Sequence, residues 1–172
     1  MSEPGEIPVS ENGGSLFKVA FDLQDEGDWP PVLIERMWAE KTGKSQLKVL
    51  NTPFFARGIA FGDLISARPD HERRELVFDG VVSESDHSTV RVVFMSDDHR
   101  EAVETRLREA GCTIATLSQF GSLIAVDVPP TTDYAELRAW LLPQEADEAI
   151  GFEEGAISAV HRAQLAEGFE AR

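Results

Sequence analysis

One cysteine, Cys112, is present in 172 residues, so the chain can build neither an intramolecular disulfide nor a thiolate zinc cluster. Long apolar runs are missing too: "SLIAVDVPP" is the longest kind, far below the roughly 18 residues that cross a bilayer. The opening "MSEPGEIPVSENGGS" has neither a basic region nor an apolar core, so no export signal or anchor is expected, and a reducing cytoplasm is the expected compartment. Cationic charge is scarce. Sixteen Lys and Arg face 31 Asp and Glu, a net charge of -15, and the excess is spread over both halves of the chain. Such a surface repels phosphate backbones, so nucleic acid is not an expected partner. The four histidines, His71, His87, His99 and His161, stand apart with no H-x-H or H-x-x-x-H pairing, and no calcium-loop spacing occurs among the carboxylates. "GIAFGD" lacks the lysine and the long following helix of a phosphate cradle. No metal or cofactor is expected.

What is present reads as a globular α+β chain. Residues 1–14 are polar and aperiodic, which reads as a disordered leader. "SLFKVAFDL" alternates well enough for a strand with one buried face. "VLIERMWAE" and "QLKVLN" follow as a hairpin around "KTGKS", where Gly43 can take the turn's positive φ. "DLISAR" and "ELVFDGVVSES", the latter with a bulge expected at Gly80, complete a β-rich, barrel-like module over 15–87. Over 88–158 the order becomes β-α-β-β-α-β, the arrangement of ferredoxin-like domains. Ser96, Asp97 or Asp98 can cap its first helix and Gly111 can end it. Thr131, Thr132 or Asp133 can cap the second, with Pro143 as its stop. Residues 159–172 are left as a C-terminal tail.

The stretch "NTPFFARGIAFGD" joins the barrel's strands. Asn51 or Thr52 can accept a following backbone N–H and Pro53 suits the first position of a short turn. Gly58 and Gly62 punctuate the segment, and Asp63 can satisfy exposed backbone donors. Phe54, Phe55 and Phe61 read as plugs for the barrel's end. "FDLQDEGDWPPVLIERMWAEK", "NTPFFARGIAFGD", "HSTVRVVF" and "FEEGAIS" together resemble the bacterial family catalogued as domain of unknown function 4265, over most of Phe17 to Ser158. That resemblance implies a small cytoplasmic bacterial protein and no chemistry. More locally, "FGDLIS" resembles the hydrophobic-Gly-Asp-hydrophobic turn of cradle-loop barrels.

Catalytic signals are thin. "DHST" places Asp86, His87, Ser88 and Thr89 in a row with Arg91 two positions on, but neighbours on an extended chain point to opposite faces, and no G-x-S-x-G turn presents Ser88. No catalytic residue is assigned, and an enzyme is the less favoured class. Cys112, at a helix end where the dipole disfavours a thiolate, reads as a packed small hydrophobe. Asp25, Glu26 and Asp28 around Gly27 read as a solvated acidic loop. Trp29, just after that loop, either anchors a partner or folds back as a lid on the barrel.

Two functional classes remain. One is a non-enzymatic accessory protein whose acidic surface binds a basic protein partner, as a toxin-neutralising or regulatory protein would. The other is a small-molecule-binding domain or enzyme using the junction of the two modules, with Trp29, Arg57, Asp63, His87, Ser88 and Arg91 as candidate contacts. Oligomeric state is open.

Overall fold

A computed structural model describes residues 9–24 and 26–170. Of the expected leader, residues 1–8 lie outside the described residues. Val9 to Gly14 form a turn closed by a bridge between Val9 and Ser15.

Five strands close a small barrel: β1 (Leu16–Asp22), β2 (Ile34–Gly43), β3 (Gln46–Val49), β4 (Leu64–Asp70) and β5 (Glu75–Ser83). Consecutive strands pair antiparallel, and β1 closes the ring by pairing parallel with β5 at Val19↔Leu76 and Ala20↔Val77. Alternation along β2 shows the pleat directly, since Met37 and Ala39 are buried while Arg36 and Trp38 face outward. The interior is filled by Val19, Phe21, Met37, Ala39, Leu47, Val49 and Ile65. The register between β4 and β5 slips at Gly80, which pairs with Ser66 while the next pair is Ala67↔Phe78, so a bulge lies where it was expected. In the β2–β3 turn the positive φ belongs to Ser45 (63°), not Gly43. The hairpin places the left-handed position just before β3, two residues past the glycine.

The second sheet has four strands in the order β7-β8-β6-β9, formed by β6 (Ser88–Phe94), β7 (Thr113–Thr116), β8 (Leu123–Val128) and β9 (Ile150–Ala156). All its pairings are antiparallel. Helices α1 (Arg100–Glu109) and α2 (Tyr134–Ala146) cover one face. There Val90, Val92, Phe94, Ile124, Val126 and Val128 pack on Val103, Leu107, Tyr134, Leu137 and Leu141. The other face meets the barrel, with Leu123 and Ala125 against Phe54 and Phe55. Covered on both sides, β6 and β8 are buried along nearly their whole length rather than on alternate residues.

Helix ends differ from expectation at three places. A 3-10 turn (Asp97–His99) precedes α1, which carries no side-chain cap, so Ser96, Asp97 and Asp98 do not serve as one. Asp133 does cap α2, accepting from the Glu136 N–H at 3.0 Å. Pro143 does not stop that helix. It stands in the last turn, so it forgoes one intrahelical N–H bond near the end, and its own carbonyl still accepts from Asp147 at 3.0 Å. The expected tail is instead helix α3 (Ala159–Glu170). Ser158 caps it, accepting from the His161 N–H at 3.3 Å, and the buried His161 docks it. Among the described residues no helix is long and apolar enough to cross a membrane.

Candidate functional site

The corner between β3 and β4 is held by a side chain distant in sequence. Glu35, at the start of β2, turns its carboxylate onto three consecutive backbone N–H groups: Phe54 at 2.6 Å, Phe55 at 2.9 Å and Ala56 at 2.8 Å. The expected caps do other work or none. Asn51 Oδ1 accepts from Trp38 N at 2.6 Å. Downstream, Gly62 has φ +84°. Asp63, 3% exposed, accepts from the N–H groups of Ala60 and Ser85, each at 2.9 Å. The structural roles read for Gly62 and Asp63 match this geometry. The phenylalanines differ, because Phe54 and Phe55 point away from the barrel and fill the seam against the second sheet. Phe55 meets Trp29 and Phe120 edge-on, each with ring centroids at 5.5 Å. Phe61 packs on His87.

Trp29 and Arg57 come together at the open end of the barrel, on the rim of a cleft of about 290 Å³ whose apolar lining includes Phe21, Phe55 and Phe78. Trp29 is 39% exposed and lines this cleft. Arg57 Nε donates to Glu153 at 3.1 Å and Nη1 to Glu26 at 3.1 Å. Glu153 and then Glu26 hold its pKa above the ordinary arginine value. Asp25 of the same acidic loop lies outside the described residues.

Arg91 shares the seam but is buried, 2% exposed. Its pleat position puts it on the barrel side of β6, beside Thr89, whose hydroxyl donates to the Ile59 carbonyl at 3.0 Å. Nη2 donates to the Ala56 carbonyl. Nη1 lies 3.7 Å from Glu153 Oε1, and neither Nε nor Nη1 has a hydrogen-bond partner among the described residues. The guanidinium lies where a side chain at Gly155 would have to go. Burial pushes its pKa down, against the pull of Glu153 and Glu35. A second groove of about 220 Å³ opens here, lined by Trp29, Arg91, Val93, Leu123, Gly151 and Glu153 among others.

His87, Ser88 and Asp63 do not join this group. His87 Nδ1 meets Asp127 Oδ1 at 2.8 Å, and burial raises the pKa of Asp127 despite that bond. His87 and Asp63 share only a recess of about 20 Å³, room for one water. Ser88 points through the opposite face of β6. There its Oγ sits 2.6 Å from His161 Nδ1 and accepts the Ser158 N–H at 2.9 Å. His161 Nε2 lies 3.1 Å from the Pro129 carbonyl, so Nε2 carries the proton and Ser88 donates to Nδ1. A Ser–His contact of this kind is the start of a nucleophile, but both side chains are 0% exposed, so no substrate reaches them. Neither Glu35 nor His161 was singled out from the sequence. Their partners lie 19 to 21 and 73 residues away, beyond any local motif.

Residues 35–152 match the model of a family described as "Domain of unknown function (DUF4265)". A solved structure described as a novel crystal structure of a hypothetical protein from Neisseria gonorrhoeae shares the fold with a TM-score of 0.67. The two sequences are 16% identical, and the match covers 83% of this chain and 95% of that one. No curated protein matches the chain.

Proposed function

The chain belongs to the family described as Domain of unknown function (DUF4265), and since that description carries no chemistry, we propose from the surface itself that this is a non-enzymatic binding protein whose acidic exterior docks a basic protein. The observation that carries this is the fate of its cations. Every arginine among the described residues except Arg74 stands within 4.0 Å of a carboxylate. Most of the arginine charge is therefore answered within the chain, and the surplus acids of a chain with net charge -15 set the outward field. A field of one sign speeds encounter with an oppositely charged partner and disfavours like-charged ones. Regulation or neutralisation of a basic protein in a bacterial cytoplasm fits this surface, as it fits the buried, lone Cys112.

Two finer readings of the architecture go with it. Residues 15–87 form the barrel module and 88–158 a ferredoxin-like sandwich, supported by the strand order β7-β8-β6-β9 with α1 and α2 on one face. A second functional reading rests on the aromatic cleft beside Trp29 and Arg57, which lies within the barrel module and suits a small-molecule ligand, while the groove beside Arg91 draws on both modules. The principal reading is tested by affinity capture from the host at low salt, followed by salt elution. A basic protein released by salt is the expected result; recovery of nothing, or of a partner indifferent to salt, contradicts it.

A further inference from the structure

Arg91 carries a charge that its surroundings do not fully answer. A guanidinium offers five N–H donors in a rigid fork, and here the hydrogen bonding is a single donation from Nη2 to the Ala56 carbonyl. Nε and Nη1 are buried and without a hydrogen-bond partner among the described residues. Glu35, one of its two nearby anions, has its carboxylate committed to the backbone N–H groups of Phe54, Phe55 and Ala56. The other, Glu153, bonds Arg57 at 3.1 Å and stays 3.7 Å from Arg91, too far for a hydrogen bond. One carboxylate thus stands between two guanidinium groups and satisfies only the outer one. Beside it opens the groove of about 220 Å³, with Trp29, Val93 and Leu123 among its apolar walls and Gly151 leaving room at its edge.

We propose that this groove is a binding site for a small oxyanion-bearing ligand with an apolar body. Its carboxylate or phosphate group lies between Arg91 and Arg57 in the place now held by the Glu153 carboxylate, and its apolar part rests against Trp29, Val93 and Leu123. The ligand's oxygens complete the hydrogen bond that Arg91 Nη1, the nitrogen facing Glu153, lacks. Glu153 is then a resident stand-in, 33% exposed and free to swing to solvent when displaced. The chain's net charge of -15 does not forbid this, because distant surface charges are screened beyond about 8 Å at physiological salt while the two guanidinium groups act at contact range. The site is independent of any basic partner, which would meet the exterior and not the groove.

The test is a titration of the purified full chain followed by proton–nitrogen NMR, reading the Arg91 Nε–H and Trp29 indole N–H resonances. Benzoate and phenyl phosphate are the probes, added separately to about 20 mM, a range suited to ligands this small. Saturable shifts of both resonances are expected with at least one probe, and which probe acts tells carboxylate from phosphate. Arg57→Gln should weaken binding about tenfold, the worth of one charge-assisted hydrogen bond. Glu153→Gln should strengthen it by removing the competing anion. Both positions are partly exposed, and retention of the parent's amide spectrum confirms each variant's fold. Unmoved Arg91 and Trp29 resonances in both the parent and Glu153→Gln would overturn the proposal. So would equal shifts with benzyl alcohol, which has the apolar body but no anion.

Discussion

Replacing Glu35 by alanine removes the acceptor for three adjacent N–H groups at once. Phe54, Phe55 and Ala56 are all buried, so their amides cannot simply turn to solvent. Each buried donor left unmade costs about 1–3 kcal/mol. Water entering the space left by the carboxylate recovers part of this, so a net loss of about 3 kcal/mol is expected. For a chain of this length that is a fall in melting temperature of roughly 6–12 °C. Glu35→Gln should recover part of the loss, since its amide oxygen can take the place of Oε2 and accept from Phe55 and Ala56, while its nitrogen would meet the Phe54 N–H with a donor. Phe54 and Phe55 fill the seam, so the loss should also loosen the contact with Leu123 and Ala125. Urea unfolding of parent and both variants, followed by circular dichroism, measures the change, with unchanged slopes showing that the unfolding unit is the same. A Glu35→Ala protein within about 0.5 kcal/mol of the parent, the ordinary range for surface substitutions, would refute the role assigned to this carboxylate.

Asp63→Ala, which strips acceptors from the Ala60 and Ser85 N–H groups, should cost about 2 kcal/mol in the same assay. Gly62→Val should cost more than about 1 kcal/mol, because φ is +84° and the new Cβ would stand 3.1 Å from Ser85 Cβ. His161 is kept neutral by burial, which lowers its pKa below the ordinary 6.5. The unfolded chain therefore takes up a proton first on acidification. The stability this histidine contributes is complete above about pH 6.5 and declines as pH falls from there toward its folded pKa. Stability measured at pH 7 and at lower values should show this decline in the parent and a flatter profile in His161→Asn. Cys112 is pushed by burial to a pKa of about 11, so iodoacetamide at pH 8 should leave it unmodified in the native protein and alkylate it in denaturant, as mass spectrometry would show.

The parts legible in the sequence were those governed by near neighbours. Asp133 capping α2, Gly111 past α1, the bulge at Gly80 and the Gly62-Asp63 turn all depend on residues a few positions apart or on the conformational freedom of one glycine. The strand and helix order of both sheets followed from periodicity. What escaped depends on surfaces that meet only after folding. Two adjacent phenylalanines announce burial but not in which core, and Phe54 and Phe55 turned to the second sheet because that face of β8 offers Leu123 and Ala125. Arg91 sits within "STVRVVF" like any strand residue, and only the packing of the barrel against β6 buries it. Helix α3 lacks a broad apolar stripe and is docked by the buried His161, by Gln164 bonding the Tyr134 N–H and the Thr132 carbonyl, and by Leu165 against the core, with Ser158 as the local signal that could have marked its start. Of the candidate contacts, Trp29, Arg57 and Arg91 converge at the seam, whereas His87 and Ser88 part to opposite faces as the pleat requires.

The proposal that an acidic exterior docks a basic protein is tested most directly by the association rate constant with the captured partner, measured by stopped flow from about 0.05 to 0.5 M salt. Steering by the field of a chain with net charge -15 predicts a fall of at least about tenfold across that range. A rate constant that stays level while salt rises would contradict it.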